Sequence, residues 1–182
     1  MLPFGHIAAG YLLSESFLIL VKPAVSPGET HWLVGIGTFS SFAPDLDMFY
    51  AFFKEGKLQH RGAEGGHRRY LTHAPLLWLA LGLLIGIIGR SIFWWSAGVL
   101  VLLGSWSHFL LDSTDVGVRW LYPLSGRFFA LKNPGLSEPN EVQGFFPHWR
   151  NLLKKYWRRA PLTVCVEAVL VFLALLYLLF FR

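Results

Sequence analysis

Charge is scarce in this chain. Asp, Glu, Lys and Arg make up 15% of its 182 residues, where a soluble domain carries about 25%. Cysteine is nearly absent. The single Cys165 excludes a disulfide framework and any Cys-based zinc knuckle. Placed among Thr163, Val164 and Val166, it reads as an inert buried thiol. In place of charge the chain has apolar bulk: 54% hydrophobic residues, with 16 Phe and 8 Trp. That balance excludes disorder, a coiled coil and an ordinary secreted domain, and it points to a bilayer. The length fits one domain by the usual range of roughly 100–200 residues.

Apolar runs near the roughly 20 residues needed to cross a bilayer fall at 4–21, 31–53, 71–89, 91–111 and 162–181. The expected fold is therefore all-α: a single polytopic membrane domain of about five helices over 1–182. A cytoplasmic cap of loop and amphipathic helix is expected over 112–161. The first run lacks a basic leader and holds His6 and Glu15, so it reads as a mature helix rather than a signal peptide. Four prolines and three glycines between 123 and 147 predict an ordered loop in the cap.

The cations set the expected orientation. Lys54, Lys57, Arg61, Arg68 and Arg69 fall in 54–70. Arg119, Arg127, Lys132, Arg150, Lys154, Lys155, Arg158 and Arg159 fall in 112–161. In a five-helix topology these thirteen share one side, against Lys22, Arg90 and Arg182 on the other. The N-terminus and both basic segments are thus expected in the cytoplasm of a prokaryote, with the C-terminus outside its inner membrane. Within the cap, Trp149, Leu152, Leu153, Tyr156 and Trp157 recur at helical spacing between basic residues. A helix over 149–159 would lie on anionic lipid headgroups. Nucleic acid is not an expected partner, and the oligomeric state is left open.

Ionisable side chains inside membrane helices are costly and need a reason. Here they are His6, Glu15, Asp45, Asp47, His73, His108 and Asp112. His108 and Asp112, four apart, share a helix face. Thr72 is expected to cap the helix that His73 opens, with Pro75 in its first turn. Pro44 breaks the second run, and broken helices at membrane depth line polar cavities. Four segments thus bring His or Asp towards one cytoplasmic pocket. Carboxylates and imidazoles without thiolate suit zinc, manganese or iron. Two divalent ions set against three aspartates and one hydroxide would be near neutral, easing burial. Glu15, at about 100° per residue, lies opposite His6 and is expected to pack against another polar group. His31 and His148 read as interfacial, His60 as a loop residue, and His67 as intermediate.

The pattern Gly5-His6-Ile7-Ala8-Ala9-Gly10, Pro44-Asp45-Leu46-Asp47, Gly66-His67-Arg68-Arg69 with Thr72-His73, and His108-Phe109-Leu110-Leu111-Asp112 with Thr114, Gly117 and Tyr122-Pro123-Leu124 resembles the YdjM family. These are small prokaryotic inner-membrane proteins described as membrane-bound metal-dependent hydrolases. The resemblance runs from about residue 3 to 131. It implies His6, Asp45, Asp47, His67, His73, His108 and Asp112 as metal ligands. His60-Arg61-Gly62 and Gly66-His67-Arg68 both match the family's histidine–arginine element, and Ala74 replaces its usual serine. A more distant similarity to zinc-dependent phospholipase C and the zinc single-strand nucleases implies one ion on Asp45, His73, His108 and Asp112. It implies a second ion on His6, bridged by Asp112.

Two such ions would bind a phosphoryl group and activate water. Arg61, Arg68, Arg69 and Arg119 could clamp the phosphate. Asp47 and Asp115 are candidates for proton transfer. The expected function is a phosphoesterase acting on a lipid phosphate or another membrane-proximal phosphoester. The alternatives are a regulator or assembly protein with a structural metal, and an ion transporter.

Overall fold

The structure, a computed structural model, describes residues 2–55, 70–114, 117–131, 146, 150 and 161–181. Among these the protein is all-helical, with no strand and a single isolated bridge between Val118 and Phe129. In chain order the helices are α1 (Pro3–Val21), α2 (Pro27–Phe42), α3 (Asp47–Glu55), α4 (Pro75–Gly89), α5 (Ile92–Ser113) and α6 (Pro161–Phe181). Of the described helices, α1, α5 and α6 are long and apolar enough to cross a membrane, and α4 is apolar but 15 residues long.

Local chemistry explains the boundaries. α2 opens on a reciprocal capping box, in which Ser26 and Glu29 each accept from the other's backbone N–H. Pro3, Pro27 and Pro75 stand at helix starts, where a missing N–H costs nothing. α1 and α4 stop at Lys22 and Arg90, whose positive φ is a left-handed helix ending. After Arg90 the chain turns at once into α5, where the Ser91 hydroxyl accepts from the Trp94 N–H.

The second run, 31–53, is broken at Pro44 as expected. Pro44 converts residues Ala43–Leu46 into a 3-10 turn, since proline cannot continue the α-helical ladder. Beyond the turn the chain resumes as the separate helix α3. The expected third span begins four residues late. Residues Leu71–His73 form another 3-10 turn, and Ala74 rather than Thr72 stands at the start of α4, without a side-chain cap. Thr72 is drawn away because its hydroxyl donates to Asp47.

α5 is the central helix and packs on α1, α2 and α4, while α6 packs on α1. The packing is close because small residues face each other. A Cβ on Gly104 would collide with the Gly37 carbonyl, and one on Gly98 with the Gly82 carbonyl. Such contacts are how helices associate where lipid removes the hydrophobic incentive. Phe17, Leu33, Ala97 and Leu100 form the apolar core cluster. They lie in the C-terminal half of α1 and the N-terminal halves of α2 and α5. The opposite end collects the N-terminus of α1, the turn after α2, the turn before α4 and the C-terminus of α5. Residues 117–131 dock there, with the Gly117 N–H donating to the Asp112 carbonyl and the Leu131 N–H to the Ser113 carbonyl. The expected helix over 149–159 lies outside the described residues apart from Arg150.

α6 corrects one expectation. Cys165 is exposed, not buried. α6 turns Thr163, Val164 and Glu167 inward, and Cys165 falls on the outer face, which is otherwise apolar.

Candidate metal centre

Six of the polar residues singled out from the sequence meet at that end of the bundle. His6 lies in the first turns of α1, Asp45 in the turn Ala43–Leu46, Asp47 at the start of α3, His73 in the turn Leu71–His73, and His108 and Asp112 at the end of α5. All are buried, His6 and His108 completely.

Two groups of donors form. His6, His108 and Asp112 make one, and Asp45, His73 and His108 the other, each with its ligand atoms within 4.8 Å of one another. His6 Nε2 stands 3.5 Å from Asp112 Oδ1, and His108 Nε2 3.7 Å from Asp112 Oδ2. His73 Nε2 and His108 Nε2 each stand 3.6 Å from Asp45 Oδ1. These are ion-pair separations, too long for good hydrogen bonds.

The tautomers sharpen the picture. His108 Nδ1 lies 2.9 Å from the Ser41 backbone carbonyl. A carbonyl only accepts, so Nδ1 carries a proton, and in the neutral ring the Nε2 lone pair faces the aspartates. His73 Nδ1 donates to Asp47 Oδ2 at 2.7 Å, which likewise leaves Nε2 facing Asp45. His6 has neither ring nitrogen hydrogen-bonded among the described residues, and neither has His108 Nε2. His6 is stacked on His108 at 3.9 Å between ring centroids. Buried lone pairs facing carboxylate oxygens repel unless a proton or a metal ion lies between them. Two ligands 2.0–2.1 Å from a tetrahedral zinc stand about 3.4 Å apart, close to the separations found here. The residues present fit a divalent metal.

Asp47 belongs to neither group. It stands behind His73, accepting also from Thr72, the carboxylate–histidine arrangement that orients metal ligands. Trp78 extends this shell by donating through Nε1 to the Thr72 carbonyl.

The other expected residues have varied places. Arg119 sits in the segment docked on the end of α5, with its guanidinium 4.3 Å from the Tyr122 ring centroid and 5.5 Å from that of Phe128. Glu15 is buried and accepts from the Tyr177 hydroxyl of α6 at 3.4 Å, so it does pack against a polar partner. His31 lies at the far end, exposed. His60, Arg61, His67, Arg68, Arg69, Asp115 and His148 lie outside the described residues, and the choice between His60 and His67 lies there with them.

Sequence reasoning missed two residues. Ser41 orients two candidate ligands at once: its carbonyl holds His108 and its hydroxyl donates to the His6 carbonyl. Nothing in the sequence marks it. Glu167, buried in α6, accepts from the Leu2 and Gly5 N–H groups at the start of α1. The rule that singles out an acid in an apolar run would have found it.

The family model of the YdjM inner membrane protein matches residues 1–182. No curated protein and no solved structure matches the chain. The chain belongs to the YdjM inner membrane protein family.

Proposed function

We propose that this YdjM-family membrane protein is a metal-dependent hydrolase, a phosphoesterase acting on a lipid phosphate or another membrane-proximal phosphoester. One observation carries the reading: three buried imidazole Nε2 atoms face two aspartates at 3.5–3.7 Å from four separate segments of the chain. Asp45, His6, His73, His108 and Asp112 would hold the metal. Two ions suit the two groups of donors, but each imidazole nitrogen has one lone pair. His108 would therefore complete only one of the two groups, with Asp45 or Asp112 left to serve the other. Zinc is the best match to this donor set, with manganese or iron also compatible.

When bound, such ions polarise a phosphoryl oxygen and lower the pKa of water. The chain's own groups do the rest. Asp47 fixes the His73 ring, while Ser41 fixes the His108 ring and the backbone that carries His6. Arg119, with Arg68 and Arg69 of the basic segment, would hold the phosphate, and Asp47 and Asp115 are the candidates to move protons. Asp45 is the natural entrance. Its side chain is 12% exposed, against 2% or less for His6, His73, His108 and Asp112.

In this reading the metal-centre end of the bundle faces the cytoplasm, with five crossings and the C-terminus outside. α6 supports it, because Glu167 meets the start of α1 while Tyr177 meets Glu15 farther along. α6 therefore runs away from the metal centre.

The test is metal content by elemental mass spectrometry on detergent-purified protein, wild type beside His108→Ala and Asp112→Ala, with phosphate release from phosphoesters measured on the same samples. Metal in the wild type, lost in both variants, together with turnover supports the reading. Folded wild-type protein that holds no metal overturns it. The burial of the donors favours one second reading, a closed structural site in a non-catalytic regulator or assembly protein. Tight, chelator-resistant metal without turnover on any phosphoester would select it.

A further inference from the structure

The helix after the entrance aspartate has an outward apolar face. α3 turns Asp47 and Met48 inward, while Phe49 is 42%, Tyr50 54% and Phe53 82% exposed. Phe49 and Phe53, four residues apart, form one stripe. Tyr50 and Lys54 form the next, with the Lys54 ammonium 5.5 Å from the Tyr50 ring centroid. At about 1.5 Å per residue, a helix of nine residues is far too short to cross a bilayer. The segment docked beside the centre is similar. Leu124 and Leu131 are 83% and 70% exposed, and Arg127 is exposed beside them. Phe4 and Ile7 of the membrane-length helix α1 continue the apolar surface at the same end.

We infer that α3 is an interfacial helix, lying in the headgroup layer of the anionic bilayer that the long helices enter. Aromatic rings favour the boundary between headgroups and acyl chains, and lysine reaches from apolar surroundings to lipid phosphate. Large exposed apolar patches mark such contacts. The position also matters for the metal centre. Asp45 lies in the turn leading directly into α3, and Asp47 is its first residue. Seating α3 in the headgroup layer fixes both carboxylates relative to the membrane and turns the entrance towards lipid headgroups rather than bulk water. The substrate is then a phospholipid or lipid phosphate that reaches the centre without leaving its leaflet. This substrate assignment rests on the hydrolase reading, but the seating of α3 does not.

The experiment uses full-length protein with Cys165→Ser, carrying single nitroxide labels at Phe49→Cys or Phe53→Cys. The protein is reconstituted in nanodiscs of phosphatidylethanolamine and phosphatidylglycerol. Labels at Leu173→Cys on the exposed face of α6 and Ala24→Cys in the α1–α2 turn serve as the acyl and polar references. Labels on α3 should collide more with oxygen than with a water-soluble nickel chelate, at a depth between the two references. Nickel accessibility equal to that at Ala24 means a solvated helix and overturns the inference. Accessibility to neither reagent means that another part of the chain covers α3, and also overturns it. Phe53→Asp should lower turnover of a lipid phosphate about tenfold and spare a short-chain soluble phosphoester. Labels seated in the bilayer with no turnover on any phosphoester would sink the hydrolase reading alone.

Discussion

Asp47 shows how a residue type read correctly from sequence can have a different place in space. The spacing Pro44-Asp45-Leu46-Asp47 offers two carboxylates, and nothing local separates them. The 3-10 turn does. It sends Asp45 to the imidazole Nε2 atoms and Asp47 to the back of His73. Asp47→Asn should therefore leave the protein folded and weaken metal affinity by about 10–100-fold, measured by competition with a chromogenic chelator. Asp112→Asn should reduce it further, because it alters a donor rather than a donor's support. Equal losses in the two variants would place Asp47 among the ligands. Thr72 illustrates the opposite error. Its position before Pro75 looks like a cap, but the hydroxyl turns to Asp47, residues Leu71–His73 form a 3-10 turn, and Ala74 takes the N-cap position.

At the scale of elements, the contact between α1 and α6 depends on two acids in otherwise apolar runs. Glu167 closes the start of α1 by accepting the Leu2 and Gly5 N–H groups, where unpaired donors and the helix dipole favour a carboxylate. Gly5 adjoins His6, so this contact steadies the turn that carries His6. Glu167→Leu should destabilise the protein by about 1–3 kcal/mol, read as a lower unfolding temperature in detergent, with faster amide exchange at Gly5. Between α2 and α5 the contact depends on the absence of side chains. Gly104→Leu should disrupt it, because the Cβ alone already meets the Gly37 carbonyl. Expected is a loss of at least about 1–3 kcal/mol and of bound metal, since the end shared by α2 and α5 carries the ligands. An unchanged unfolding temperature would show that the helices can part without cost.

At the scale of the whole molecule, the apolar core cluster lies at one end and the polar centre at the other. Chelation should therefore lower the unfolding temperature without unfolding the bundle, because the core around Leu33 and Leu100 does not depend on the metal. Circular dichroism melts with and without chelator test this, and complete loss of helix on chelation would contradict it. Sidedness is testable in intact cells. In a Cys165→Ser background, cysteines at Lys57 and Arg127 should react with a membrane-impermeant maleimide only after lysis, and those at Lys22 and Arg90 before it. Lys57 and Arg127 on opposite faces would defeat the five-crossing topology.

Composition and periodicity alone determine much of this protein. Few charges and long apolar runs dictate an all-helical membrane protein, because lipid allows only helices or closed barrels and barrel strands alternate apolar with polar residues. Buried His and Asp in apolar runs announce a centre, since their desolvation cost demands a return. His108 and Asp112 could be paired at sight, because i and i+4 neighbours meet whatever the tertiary fold. The rest depended on packing between segments far apart in the chain. Only the assembled bundle shows that His108 stands in both candidate donor groups, that Ser41 holds His108 and the His6 carbonyl, and that Glu167 reaches the start of α1 across 162 residues. It also decided that Cys165 faces outward and that α3, beyond the expected break at Pro44, has an exposed aromatic face. A hydrogen bond between distant residues leaves no periodic trace. Its geometry exists only once the helices have been brought together.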